Sequence, residues 1–396
     1  MKNSLAAVNL RTPMMGLVLL SAGLIGCSPK PGTDIVCDSL GCISLSTFSA
    51  NITKALKNNA VGYVVYVGTL PSSFAGQART TADPPSIPML FDLPMNVASI
   101  SKTLTTIGVL QSLAKHNLTI DAKILPYLYS DWIKGPNIDT ITFRDLLTHK
   151  AGFRVNCNGS NTTYAVLKQQ IANGVQLADK TTGTYNNCNF AIFRELLPFM
   201  EGSTPSGSDA QRAAASAALY INYMNQNVFQ PVGVSGADCK PPAQLNPAFA
   251  SVLTYPFPAG SANGTDWGDW TLSCGGGGWV LKASDLNNVM LDLAAGNLLL
   301  TNAQKSQMNL NCLGWDCSVR PDCPSPYVCK NGSLSSGGKT LWTYLGIFKC
   351  TVSVTVFVNS PIQGLPNNDI IGLVGNAYNG AAVPVPQGAP QPKCPA

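Results

Sequence analysis

Apolar and polar positions alternate with two different periods along the chain, and each period marks a different part of the fold. From Ser46 to Asn58 the spacing is helical, and Val61 to Val67 is a continuous, β-branched apolar run of the kind that a buried strand requires. Leu70 to Pro88, rich in proline and serine, reads as a loop or a broken hairpin. Helical patterns dominate from Ser101 to about Met290, interrupted by loops such as Asn156 to Thr163. An alanine-rich helix is expected over Ala210 to Asn225 and a glycine hinge at Cys274 to Gly278. Strand character returns at Leu341 to Phe348 and Val352 to Val358, with a turn at Lys349 and Cys350 between them. Ile370 to Tyr378 reads as a closing helix.

These elements predict an α+β protein whose sheet is built from both chain ends, with a mostly helical domain inserted between them. The expected boundaries are 46–105 and 280–380 for the sheet domain and 106–279 for the helical insert, with a site at their junction. Ala381 onward (381–396) is a proline-rich, extended tail, and no internal repeat is present.

The first 26 residues follow another logic. A basic residue, an apolar run from Met14 to Ile25 and then Gly26-Cys27 read as an export signal (1–26), since the run is short of the ~20 apolar residues a membrane span needs. Leu24 to Cys27 resembles the bacterial lipobox, which implies a lipid on Cys27. Residues 27–45 would then be a tether reaching roughly 60 Å when extended. By resemblance to other lipoproteins, Ser28 after the cysteine implies the outer membrane, periplasmic or surface side, if the source is Gram-negative. Thirteen cysteines become an even number once Cys27 is set aside, which fits disulfides in an oxidising compartment. Cys312, Cys317, Cys323 and Cys329 could instead be metal ligands, but the cluster has no C-x-x-C spacing and no histidine, so no metal is expected. The Asn-x-Ser/Thr sequons, such as those at Asn51 and Asn158, are expected to be idle in a bacterial lipoprotein.

With 396 residues, 45% of them hydrophobic and 11% charged, the chain can bury a large core and is neither disordered nor a nucleic-acid binder. The formal charge of +5 includes Lys2 and Arg11 of the leader, leaving too little dispersed excess to select a polyanion.

Chemistry concentrates at Ser99-Ile100-Ser101-Lys102, where a serine and a lysine stand three residues apart at the start of a helical run. On one helix face an amine at Lys102 can reach a hydroxyl at Ser99, and a helix N-terminus favours negative charge developing there. The alternative is a helix N-cap at Ser99 with a solvated lysine. Ile141 to Phe153, Tyr185-Asn186-Asn187, Phe229 to Gly233 and Gly275 to Leu286 follow in order. Together they resemble the serine β-lactamase-like superfamily: class C β-lactamases, D-alanyl-D-alanine carboxypeptidases, β-lactamase-fold esterases and D-amino-acid amidases. The likeness spans about residues 46–360 and implies the antiparallel sheet of a β-lactamase/transpeptidase-like fold, with no cofactor.

That resemblance implies Ser99 as nucleophile, Lys102 as base or electrostatic activator, Tyr185 as proton shuttle to the leaving atom, and Asn187 as a ligand of Lys102 and of the substrate's acyl-side amide. For the third motif it implies Lys330-Asn331-Gly332-Ser333 ahead of a strand. Lys330 would contact a substrate carboxylate or acyl oxygen, Gly332 would let backbone approach, and Ser333 would supply an oxyanion amide beside that of Ser99. Lys339-Thr340 is a rival for this motif. Cys157 and Cys188, both in the insert and the latter beside Tyr185 to Asn187, are expected to pair. Neither Glu195 nor Glu201 has the Glu-x-x-Leu-Asn context of a class A deacylating base. No Gly-x-Ser-x-Gly elbow exists, and His116 and His149 precede the distal serines, which excludes an α/β-hydrolase. His116 reads as a solvated helix-end residue and His149 as a structural hydrogen-bonding one.

The expected function is a lipid-anchored serine acyl hydrolase acting on a small-molecule or peptide ester, amide or lactam, an esterase or D-peptide hydrolase before a β-lactamase. The other reading is a non-catalytic lipoprotein of the same fold that binds cell-wall peptides or anchors other proteins.

Overall fold

In the computed structural model, residues 34–154, 157, 159–242, 250–316, 327–365 and 369–385 are described. The expected leader and Cys27, along with Cys317 and Cys323, lie outside them. The first described elements are β1 (Ile35–Asp38), β2 (Gly41–Ser44), α1 (Leu45–Leu56), β3 (Gly62–Val67), β4 (Ser73–Arg79), β5 (Ile87–Pro88) and β6 (Pro94–Asn96). Then come α2 (Ser101–Lys115), α3 (Phe143–Leu147), α4 (Tyr164–Asn173), α5 (Asp179–Thr182), α6 (Cys188–Ala191), α7 (Phe193–Met200) and α8 (Asp209–Met224). After β7 (Val280–Lys282) and helices Ala283–Ala295 and Asn302–Leu310, the chain returns through β8 (Val328–Ser336), β9 (Lys339–Phe348) and β10 (Val352–Val358). Helix Ile370–Asn379 and β11 (Ala382–Val383) follow.

The main sheet is antiparallel with the order β5-β4-β3-β10-β9-β8, so strands from the two chain ends meet at the β3–β10 pair. β3 is apolar on both faces because both faces are covered, while β10 sets valines on one face and Ser353, Thr355 and Phe357 on the other, all buried. Tyr63, Val65 and Val67 join Val352, Val354, Val356 and Val358 in a core beneath α1 and helix Ile370–Asn379. Val64 and Phe357 point the other way, into the larger core shared with helix Ala283–Ala295 and the helical lobe. This two-sided burial is why β3 stands out in the sequence as an unbroken apolar run.

Four expectations need correction. Half of the stretch read as a tether is folded: β1 and β2 form a hairpin closed by the Cys37–Cys42 disulfide, and β11 pairs with β2 inside the stretch read as an extended tail. Asp38, buried in this hairpin, accepts from Lys349 at 2.7 Å and from the Tyr327 hydroxyl at 2.9 Å, fastening the hairpin to the main body. The described residues from 233 to 279 are mainly turns and extended loops rather than helix, since Pro256, Pro258 and a succession of glycines deny them a continuous hydrogen-bonded run. Finally, Lys330 to Ser333 lies within β8 rather than ahead of a strand.

Candidate active site

The first turn of α2 is held from one side by the glycine segment that follows Cys274. Thr105 Oγ1 donates to Gly275 O at 2.7 Å, Lys102 Nζ donates to Gly276 O, and Trp279 N donates to Ser101 Oγ at 3.2 Å. Glycine is required there by close approach, because a Cβ on Gly276 would lie 2.8 Å from Asn187 O. Buried Arg194 holds the same segment from below, donating to Cys274 O at 3.3 Å and to Thr162 O at 3.2 Å while paired with Glu195.

Ser99 sits in a tight turn, Ala98–Ile100, just ahead of α2. It caps nothing: α2 has no side-chain N-cap bond. Its Oγ lies 2.7 Å from the Tyr185 hydroxyl and accepts from Lys102 Nζ at 3.0 Å. Lys102 has 0% of its surface exposed, and its other acceptors are Asn187 Oδ1, at 2.8 Å, and the Gly276 carbonyl. None of these contacts carries a formal negative charge. Burial lowers the lysine's pKa from its ordinary value, Tyr185 opposes this, and the positive charge of Lys330 adds to it. The result is an amine biased toward the neutral form beside a hydroxyl, which is what a general base needs.

Tyr185 keeps 44% of its surface exposed toward the cleft. Burial of its hydroxyl alone would raise the phenol's pKa. Lys102 and Lys330, with hydrogen bonds from Lys102 and Ser99, outweigh that and bring it below 10.0. His149 packs against the tyrosine ring, accepting from Asn186 N at 3.3 Å through Nδ1, so the structural role expected of it is the one its contacts describe. Burial and then the charges of Lys102 and Lys330 hold its pKa well below 6.5. The Cys157–Cys188 disulfide closes this corner directly behind Asn187.

Across the cleft, β8 is the edge strand of the sheet. Asn331 N points away from β9, donating to Asp316 Oδ2 at 3.1 Å, and Cys329 O accepts from Asp316 N at 2.8 Å. By the two-residue period of a strand, the Ser333 N–H faces the same open side. Gly332 brings this edge against the nucleophile: a Cβ there would lie 2.7 Å from Val97 O and 2.9 Å from Ser99 N. The two amides, Ser99 N and Ser333 N, therefore border the same space, as an oxyanion hole requires. Lys330 Nζ is 5.5 Å from the Tyr185 ring centre but is bound to Asp316 Oδ1 at 2.7 Å.

A cleft of about 500 Å³ is bordered by Ser99, Tyr185, Asn187, Lys330 and Ser333, with Lys102 directly beneath Ser99. Lys339, the rival for the third motif, donates instead to Thr265 Oγ1 and does not border the cleft. Sequence reasoning missed Asp316, Asp369 and Trp270, which also line it. Asp316 stands alone as an acid between Trp315 and Cys317, and only this isolation hinted at a buried partner. The two glutamates lie elsewhere, Glu195 paired with Arg194 and Glu201 with Lys115 and His116, and His116 is the exposed C-cap of α2, as expected of a solvated helix-end residue. Cys312 and Cys329, two of the four cysteines weighed as metal ligands, are disulfide-bonded, and no cluster of metal-ligating side chains occurs among the described residues.

Comparison with known proteins places the fold. Solved structures with the same fold include a β-lactamase/D-alanine carboxypeptidase from Pseudomonas syringae, with 15% identity, a TM-score of 0.61 and coverage of 85% of this chain and 99% of that one. A class C β-lactamase from Rhodobacter sphaeroides has 17% identity, a TM-score of 0.56 and coverage of 84% and 99%. FmtA from Staphylococcus aureus has 13% identity, a TM-score of 0.60 and coverage of 90% and 95%. No curated protein sequence matches. The Beta-lactamase family model matches residues 61–316, well over half of the chain and the whole run from β3 through the nucleophile helix to Asp316. The serine, lysine and tyrosine that converge on one cleft thus stand within a protein that belongs to the Beta-lactamase family.

Proposed function

We propose that the protein is a serine acyl hydrolase that works through a Ser99 acyl-enzyme on an ester, an amide or a lactam, with esters and D-peptides preferred over β-lactams. The observation that carries this reading is the contact of Ser99 Oγ with both a buried lysine, at 3.0 Å, and a tyrosine hydroxyl, at 2.7 Å. As Ser99 Oγ attacks the acyl carbon, its proton passes to the neutral Lys102 amine, and the amides of Ser99 and Ser333 receive the oxyanion. Tyr185 then gives a proton to the leaving atom as the bond to the acyl carbon breaks, and is recharged from Lys102. With both glutamates remote from the cleft, the deacylating water is activated by Tyr185 or Lys102. Asn187 orients Lys102 and meets the acyl-side amide of the substrate, and Gly332 lets β8 come close. Lys330 acts beside Tyr185, on the side from which the leaving group departs.

A D-peptide substrate draws support from the carboxypeptidase named among the structural neighbours, and an ester from the open cleft. The test is labelling of the intact chain with a fluorophosphonate and a fluorescent penicillin in parallel. A single fluorophosphonate adduct on the peptide containing Ser99, absent in Ser99→Ala, is the expected result. An adduct elsewhere, or none, overturns it in favour of a non-catalytic binding protein, and strong penicillin labelling moves the substrate class to lactams.

The envelope location is a separate proposal. Cys27 carries a lipid that holds the domain at the membrane, supported by the Leu24 to Cys27 motif and by the disulfides Cys37–Cys42, Cys157–Cys188 and Cys239–Cys274, which suit an oxidising compartment.

A further inference from the structure

The wall of the cleft beside Tyr185 is electrically closed. Lys330 and Asp316 form an ion pair with side chains only 2% and 4% exposed, Nζ to Oδ1 2.7 Å. The carboxylate cannot swing aside, because Asp316 is bound to three successive residues of β8: to Cys329 O through its own N–H, to Lys330, and to Asn331 N through Oδ2. A second carboxylate, Asp369, lies on the same wall and accepts two contacts from Asn331 Nδ2, at 2.8 and 3.0 Å. The same wall offers apolar surface from Leu334 and Trp342.

A substrate carboxylate arriving here would meet a cation whose charge is already balanced inside the protein. Capturing Lys330 would require Asp316 to give up its ion pair and leave a buried charge uncompensated. An uncharged group meets no such opposition and gains contact with Leu334 and Trp342.

We infer that Asp316 is a specificity-determining residue that turns the leaving-group side of the cleft into a subsite for uncharged groups, so that the substrates are esters or amides whose leaving group carries no carboxylate, which among D-peptides means internal bonds rather than the C-terminal bond that a carboxypeptidase cleaves. This rests on the acyl-hydrolase reading above, since it is Tyr185's delivery of a proton that makes this wall the leaving-group side.

Two esters of phenylacetic acid test it, one with 3-hydroxybenzoate as leaving group and one with its uncharged methyl ester. Each kcat/KM is divided by the ester's rate of hydrolysis in hydroxide, which removes intrinsic reactivity. The full chain should prefer the uncharged ester by at least about tenfold. Asp316→Asn, which keeps the size and an oxygen for Asn331 N, should erase at least about tenfold of that preference, a change of about 1.4 kcal/mol. Preference for the carboxylate ester in the unmodified protein, or an unchanged ratio in Asp316→Asn, overturns the inference. Should Asp316→Asn fail to fold, inhibition of the unmodified protein decides. Weaker product inhibition by 3-hydroxybenzoate than by its methyl ester supports the subsite, and equal or stronger inhibition overturns it. Failure of the hydrolase reading looks different: neither ester is turned over above the level of Ser99→Ala, and a fluorophosphonate leaves no adduct on Ser99.

Discussion

The imidazole of His149 lies against the ring of Tyr185, with 4.4 Å between centroids and 33° between planes. The tyrosine is thus backed by a group that the protein holds uncharged. A protonated imidazole at that distance would add a positive charge to that of Lys330 beside the neutral Lys102 amine. His149→Ala should therefore lower kcat by about tenfold, roughly 1.4 kcal/mol, with a smaller change in KM, as Tyr185 loses its backing.

The same residue makes a stability prediction. Its pKa in the folded protein lies well below 6.5, so below pH 6.5 the unfolded chain takes up a proton that the folded one refuses. Stability attributable to this group therefore falls as pH drops from about 6.5 toward the folded value and is constant above it. Denaturant titrations at several pH values should show that His149→Gln flattens this part of the profile. An identical slope in both proteins would mean that the imidazole is charged in the fold.

Lys330 lowers the pKa of both Lys102 and Tyr185. Its replacement by Met should shift the acidic limb of the kcat/KM profile to higher pH and reduce kcat/KM at neutral pH by at least about tenfold, or 1.4 kcal/mol. Lys339→Met should do neither. A fall in rate without movement of the limb would assign Lys330 a purely packing role.

Gly332→Ala is expected to be more damaging than its size suggests. The added methyl would press on Val97 O and Ser99 N, forcing β8 away from the nucleophile and opening the oxyanion hole. A loss of about 1–3 kcal/mol in stability from overpacking and a drop in kcat of about a hundredfold or more, near 2.7 kcal/mol, are expected. Denaturation and kinetics on the same sample separate the two.

Removing the Cys157–Cys188 bridge by the double alanine substitution frees a loop with a sequence separation of 31, for which chain entropy alone gives about 3–4 kcal/mol. Calorimetry should show that loss, and non-reducing peptide mapping of the unmodified protein should show the two cysteines joined.

How much of this was legible in the chain depends on range. Ser99 and Lys102 stand three residues apart, so their meeting follows from local backbone geometry. Tyr185 and Asn187 were found through motif order rather than through any physical signal linking them to residue 99. Asp316 was not found, because what makes it important is a neighbour 14 positions on, across another strand's edge. β8 was misplaced because Lys330 to Ser336 contains no β-branched residue. It is a strand by virtue of pairing with β9, while its free edge serves the cleft. The β1–β2 hairpin was hidden by the prolines before it, although two cysteines flanking Gly41, whose φ is +119°, are a turn signal in hindsight.

Cys27→Ala should move the protein from the membrane fraction to the soluble one. Unchanged fractionation would remove the lipid from the account.

The stapled hairpin changes what such a lipid would mean. With β1 beginning at Ile35 and fastened through Asp38 to Lys349, only the short stretch from residue 28 to 34 separates the anchor from the folded body. Even fully extended it reaches no more than about 25 Å, less than half the span expected for a free tether. A body held on so short a leash rotates little and samples a thin layer above the bilayer. Substrates would then be drawn from what lies against the membrane rather than from the bulk of the compartment.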